Sequence, residues 1–134
     1  MMLDFHTHHL LATDALISVS PTDFAPMPGK CYAVGIHPWH TKGDVEAQMQ
    51  ALAEAAQNDQ VKAIGETGLD SLRGAPLEVQ MRLFERHIAL AETLGKPLVI
   101  HCVRTSQQVL KAWSESRKCV AWAIHGFRGN ARVV

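Results

Sequence analysis

Cysteine is scarce in this chain: Cys31, Cys102 and Cys119 are widely separated and embedded in apolar stretches. An odd, scattered set gives no disulfide framework, and a reducing cytoplasm is the natural compartment. Long apolar runs are also missing. None approaches 18 residues, and Asp4, His6, His8 and His9 interrupt the N-terminus, so neither a membrane span nor a secretory signal is expected. Net charge is lacking too, with thirteen basic residues against thirteen acidic ones. No global field draws the chain to nucleic acid or membrane, and an anionic substrate must be held by local charges and metal. Aromatics make up 6% of the chain, and Trp39, Trp113 and Trp122 are dispersed, so no stacking platform for single-stranded bases is expected. Length is the last shortage. A complete (β/α)8 barrel takes about 250 residues, with about 200 near the lower limit. The 134 residues here make a single domain, 1–134, with a real core but without room for eight strand–helix units.

What is present is an alternation of strand-like and helix-like patterns, the mark of an α/β fold with a parallel sheet. Strands are expected at Met2 to His6, Ala15 to Val19, Cys31 to Ile36, Val61 to Gly65, Pro97 to His101 and Val120 to Ile124. Their near-continuous apolar character suits strands covered on both faces. Asp44 can cap a helix with Val45, Met49, Leu52 and Ala56 on one side. A longer helix starts near Pro76, buries Leu77, Met81, Phe84, Ile88 and Ala91, and ends at Gly95. Leu83, His87, Leu90 and Leu94 widen that stripe. A third helix runs from about Ser106 to Ser116, burying Val109, Leu110 and Trp113. Loop signals at residues 20–23 and 26–29 leave little room for the usual helices between the first and third strands. Residues 129–134 read as the start of another helix.

Five segments end strands with metal-binding side chains: Asp4-Phe5-His6-Thr7-His8, Gly35-Ile36-His37-Pro38, Ile64-Gly65-Glu66-Thr67-Gly68-Leu69-Asp70, Val99-Ile100-His101-Cys102 and Ile124-His125-Gly126. Parallel strands in a barrel bring their C-terminal ends to one face, where ligands distant in sequence can meet. His6 and His8 lie two apart, so a strand points both to one face, with Asp4 able to orient one from behind. His9 points the other way and reads as structural or surface. A single histidine after an apolar strand is more often a core residue, but His101 and His125 at equivalent ends of successive strands favour a metal position. Glu66 has two oxygens and can bridge two ions. His37 either contacts substrate or hydrogen-bonds within its loop, and Asp70 either joins the site or caps a turn. His40 and His87 read as structural. Arg73, Arg104 and Arg128 can hold a phosphate or simply be solvated.

Together these segments resemble, in order, the motifs of the TatD family of metal-dependent deoxyribonucleases, including His125-Gly126-Phe127-Arg128-Gly129-Asn130 near the end. The resemblance covers the whole chain. It implies a barrel with about six of its eight strands present. It implies one divalent ion on His6, His8 and Glu66 and a second on Glu66, His101 and His125, whether zinc, magnesium or manganese. It also implies phosphodiester hydrolysis, often from the 3′ end, on DNA or a small phosphodiester; His37, Asp70 and Arg104 are the candidate substrate contacts by their own chemistry and position. The family's last aspartate ligand has no counterpart, so the catalytic residue is unassigned and turnover is expected to be weak. Unpaired strand edges lead to the expectation of a homo-oligomer. The nearest enzymatic alternative is a phosphoesterase of the polymerase-and-histidinol-phosphatase type, which shares the Asp-x-His-x-His opening. The non-enzymatic alternative is a metal-binding, self-associating chain. Gly65-Glu66-Thr67-Gly68-Leu69-Asp70 favours the TatD resemblance.

Overall fold

The structure, a computed structural model, describes residues 16–41, 43–125 and 131–133, with only the backbone of His125 and of 131–133. Five strands run parallel in chain order: β1 (Leu16–Val19), β2 (Cys31–Val34), β3 (Val61–Asp70), β4 (Leu98–Val103) and β5 (Trp122–His125). Helices α1 (Val45–Ala55), α2 (Leu77–Leu94) and α3 (Ser106–Glu115) follow β2, β3 and β4. Parallel neighbours need such crossovers, and five expected strands appear with ends shifted by a few residues. The expected Met2 to His6 strand lies outside the described residues.

Two expectations are corrected. Ala131–Val133 forms a short strand, β6, antiparallel to β5, rather than a helix. Ala131 pairs with His125 and Val133 with Ala123, which places β6 beside β5 at the edge of the sheet. In α3, Val109 is buried and Trp113 half-buried as expected, but Leu110 is 52% exposed. The helix turns it away from the sheet.

Helix ends follow local chemistry. Asp44 accepts the Ala47 N–H at 3.0 Å, capping α1. Pro76 precedes α2, and Gly95 closes it at φ +67°, a left-handed value glycine adopts without penalty. Between β1 and β2 only a 3-10 turn, Pro21–Asp23, forms.

Side-chain alternation gives the sheet two different faces. Val34, Ile64, Leu98, Ile100 and Trp122 join Leu52, Phe84 and Ile88 in the main core beneath the helices. Ala33, Ala63, Val99 and Ala123 form a second, small-residue cluster on the other face. Burying each large side chain of the first cluster is worth about 1.5–3 kcal/mol, so the helix side carries most of the stability. His101 lies two residues beyond Val99 and therefore shares the small-residue face.

Candidate metal centre

The centre is built from the loop after β2, a bulge inside β3 and the C-terminal half of β4. Gly65 pairs with Val99 and Thr67 with Ile100, so Glu66 is an extra residue in β3, a bulge. A bulge bends its strand and re-aims a side chain, and here it sends Glu66 toward the histidines. Close approach of β4 makes the bulge possible. A Cβ on Gly68, at φ +141°, would lie 2.1 Å from the His101 carbonyl oxygen.

Three donor groups converge: the nearest ligand atoms of His37, Glu66 and His101 lie within 4.8 Å of one another. Glu66 Oε1 stands 3.0 Å from His37 Nε2 and 4.0 Å from His101 Nδ1. Behind His101, Nε2 is 2.9 Å from Asp70 Oδ2. The carboxylate fixes the tautomer: Nε2 carries the proton, and the Nδ1 lone pair faces Glu66. That is the arrangement a metal-ligating histidine needs.

His37 is different. Its Nδ1 accepts the Trp39 backbone N–H at 3.1 Å, so Nε2 bears the proton and donates to Glu66. A ring whose Nδ1 accepts a hydrogen bond has no lone pair left on Nε2 for a cation. On donor chemistry, Glu66 and His101 fit a divalent ion, whereas His37 fits a hydrogen-bond donor to a carboxylate or phosphate oxygen.

Asp70 is 3% exposed, and its oxygens also accept the Trp39 indole N–H at 2.7 Å and the Leu72 N–H at 2.9 Å. Burial pushes its carboxyl upward, but the bonds from His101, Trp39 and Leu72 outweigh burial and hold it below the usual value. Its geometry is that of a group orienting His101. Arg104 follows β4 directly at φ +53°, exposed and with no ion-pair partner among the described residues. His6, His8 and Arg128 lie outside the described residues. His125 pairs with His101 along the backbone, and its side chain is not described.

Sequence reasoning missed Gln80. This buried α2 side chain accepts the Asp70 N–H at 2.7 Å and donates to the Asp70, Arg73 and Ala75 carbonyls at 3.1, 3.1 and 2.7 Å. It anchors the loop leaving β3, but a glutamine on a helix gives no such signal in sequence. Trp39 was missed as well. Trp113 and Trp122 lie elsewhere, yet Trp39 stands at the centre, its ring 4.7 Å from His37 and 5.3 Å from His101, with the Arg73 guanidinium 3.9 Å above it.

Comparison with known proteins shows what the chain as a whole is similar to. A family model described as TatD related DNase matches residues 23–134. The chain is 36% identical over 108 residues to a 3′-5′ ssDNA/RNA exonuclease TatD of Musicola paradisiaca, covering 76% of this chain and 40% of that protein. It is 32% identical over 128 residues to the protein of the same name from Yersinia pseudotuberculosis, covering 91% and 48%. An uncharacterized metal-dependent hydrolase, YabD of Bacillus subtilis, is 31% identical over 103 residues, covering 75% and 40%. The chain thus spans less than half the length of these relatives. Among solved structures, YJJV, a TatD homolog from Escherichia coli K12, aligns with TM-score 0.67 and 23% identity over 74% of this chain and 42% of that one, a likeness of fold.

Proposed function

Because the chain belongs to the TatD-related DNase family, we propose that it serves metal-dependent hydrolysis of phosphodiester bonds, at the 3′ end of DNA or on a small phosphodiester. The observation that carries this reading is the pairing of Glu66 Oε1 with the lone-pair side of His101, backed by Asp70. Two divalent ions are proposed, with His6, His8 and Glu66 holding one and Glu66, His101 and His125 the other. Bound ions would polarise a phosphoryl oxygen and lower the pKa of a water.

The chain's own groups have separate proposed tasks. His37 Nε2–H donates to a phosphate oxygen when substrate displaces its contact with Glu66. Asp70 keeps the proton of His101 on Nε2. Arg104 holds phosphate charge at the rim. No helix among the described residues is long and apolar enough to cross a membrane, and the cytoplasm is the proposed compartment. A homo-oligomer is the proposed assembly, supported by Ile17, 40% exposed on β1, an edge strand among the described residues. Sedimentation giving a compact 14.7 kDa monomer at micromolar concentration would refute it.

The test of function is a chelator-stripped protein titrated with manganese or zinc, then given 3′-labelled single-stranded DNA and bis(p-nitrophenyl) phosphate. Tight metal binding with metal-dependent release of 3′ nucleotides is expected. Absence of metal binding, or cleavage unaffected by chelator, would sink the reading.

A further inference from the structure

We propose that Trp39 and Arg73 form a nucleotide subsite beside the metal centre, in which the indole stacks the nucleobase and the guanidinium holds its phosphate. This rests on the phosphodiester reading above and names the part of the substrate that the centre recognises. Trp39 is held at three points. Its indole N–H is bonded to Asp70 at 2.7 Å, its backbone N–H fixes His37, and its ring meets both His37 and His101. A ring so held loses little further freedom on binding a ligand. It is nevertheless 36% exposed, unlike Trp122, which is fully buried.

Arg73 explains why that surface exists. Its guanidinium lies 3.9 Å from the ring centroid, and no carboxylate pairs with it among the described residues. At an exposed site, a cation over a ring is worth only roughly a two- to fivefold preference. Stacking a base on an aromatic side chain is worth roughly 5- to 150-fold in affinity. A base therefore displaces the guanidinium from the ring, and the released charge turns to the phosphate, where two parallel N–H bonds suit it. The loop permits this without unfolding, because Gln80 holds the Arg73 carbonyl while the side chain stays exposed.

The chemical class selected is a nucleotide with its base, in preference to a bare sugar phosphate. Calorimetry on the manganese-loaded protein compares thymidine 5′-monophosphate with 2-deoxyribose 5-phosphate. The nucleotide is expected to bind at least fivefold tighter. Trp39→Leu should bring that ratio near one, Trp39→Phe should restore part of it, and Arg73→Ala should weaken both ligands by similar factors. Using the ratio cancels any general damage to the centre from losing the Asp70 bond. A wild-type ratio near one, or a ratio unchanged in Trp39→Leu, overturns the subsite. If manganese binds but neither phosphate does, the subsite fails while the metal centre stands; if manganese does not bind, both readings fall.

Discussion

His87 and His101 are both shielded from water, but they are held by different kinds of partner. His87 projects from α2 and is fully buried, and its ring meets backbone alone: Nδ1 donates to the Leu83 carbonyl at 2.8 Å, and Nε2 accepts the Ile36 N–H at 3.0 Å. His101 ends its strand with Asp70 at one nitrogen and Glu66 facing the other. Burial drives the His87 pKa down to about 4, so the ring is neutral and both of its nitrogens are already engaged. His101 keeps a lone pair directed at a carboxylate. The same imidazole is a structural tie in one place and a candidate ligand in the other, and the difference lies in whether backbone or carboxylate satisfies it.

The largest test of that contrast is to remove each ring. His87→Ala empties a packed site and strands the Ile36 N–H, so it should cost about 3 kcal/mol or more in urea unfolding. His101→Ala should cost far less stability, since one side of its ring faces the centre, but should abolish tight metal binding. Equal loss of stability in the two variants would erase the distinction.

Next in size is Glu66→Gln. A four-ligand zinc site is worth about 10–16 kcal/mol, so one ligand is worth about 3 kcal/mol, on the order of 100-fold in affinity. Metal titration of the apo protein should show that loss with an unchanged unfolding midpoint. Asp70→Asn should be milder, because the amide oxygen can keep the Trp39 and His101 bonds while the charge and the acceptor for the Leu72 N–H are lost. A roughly 10- to 100-fold weaker metal affinity is expected. A variant binding as tightly as wild type would show that His101 is oriented by something else.

The fold was legible where pattern and chemistry are local. Apolar runs marked β1 to β5, Asp44 marked the start of α1, and Gly95 marked the end of α2. The sequence also singled out Glu66 and His101, which the structure brings to 4.0 Å, although Glu66 lies inside β3 and not at its end. It did not show that β3 continues to Asp70, because Glu66 to Asp70 lacks apolar alternation and the strand is held by its pairing with β4. His37 was visible only as an ambiguous loop residue, since its tautomer depends on the Trp39 N–H. Gln80 and Trp39 join the centre through contacts 10 and 31 residues away, and no spacing rule reports those. β6 was misread because a strand of three residues is too short to show any period.

The smallest expected effect separates the two regions by pH. The folded His87 pKa of about 4 lies below its unfolded value of 6.5. Its contribution to stability is therefore complete above pH 6.5 and is lost as pH falls toward 4, because the unfolded chain takes up the proton first. Between pH 7 and 5.5 the loss is about 1 kcal/mol, since each pH unit inside that window is worth about 1.4 kcal/mol. Asp70, whose carboxyl is lowered from 3.8, likewise stabilises above its unfolded value, but its contribution disappears only below about pH 4. The two windows do not overlap. Urea unfolding of chelator-treated protein at pH 7 and 5.5 should therefore report His87 and leave the Asp70 contribution untouched. His87→Gln provides the decisive control: it keeps a donor for Leu83 and an acceptor for Ile36 but does not titrate. That variant should lose most of the 1 kcal/mol difference, whereas Asp70→Asn should retain it. The reverse pattern would mean that the strand-end cluster, and not the helix-borne histidine, carries the proton that weakens the fold.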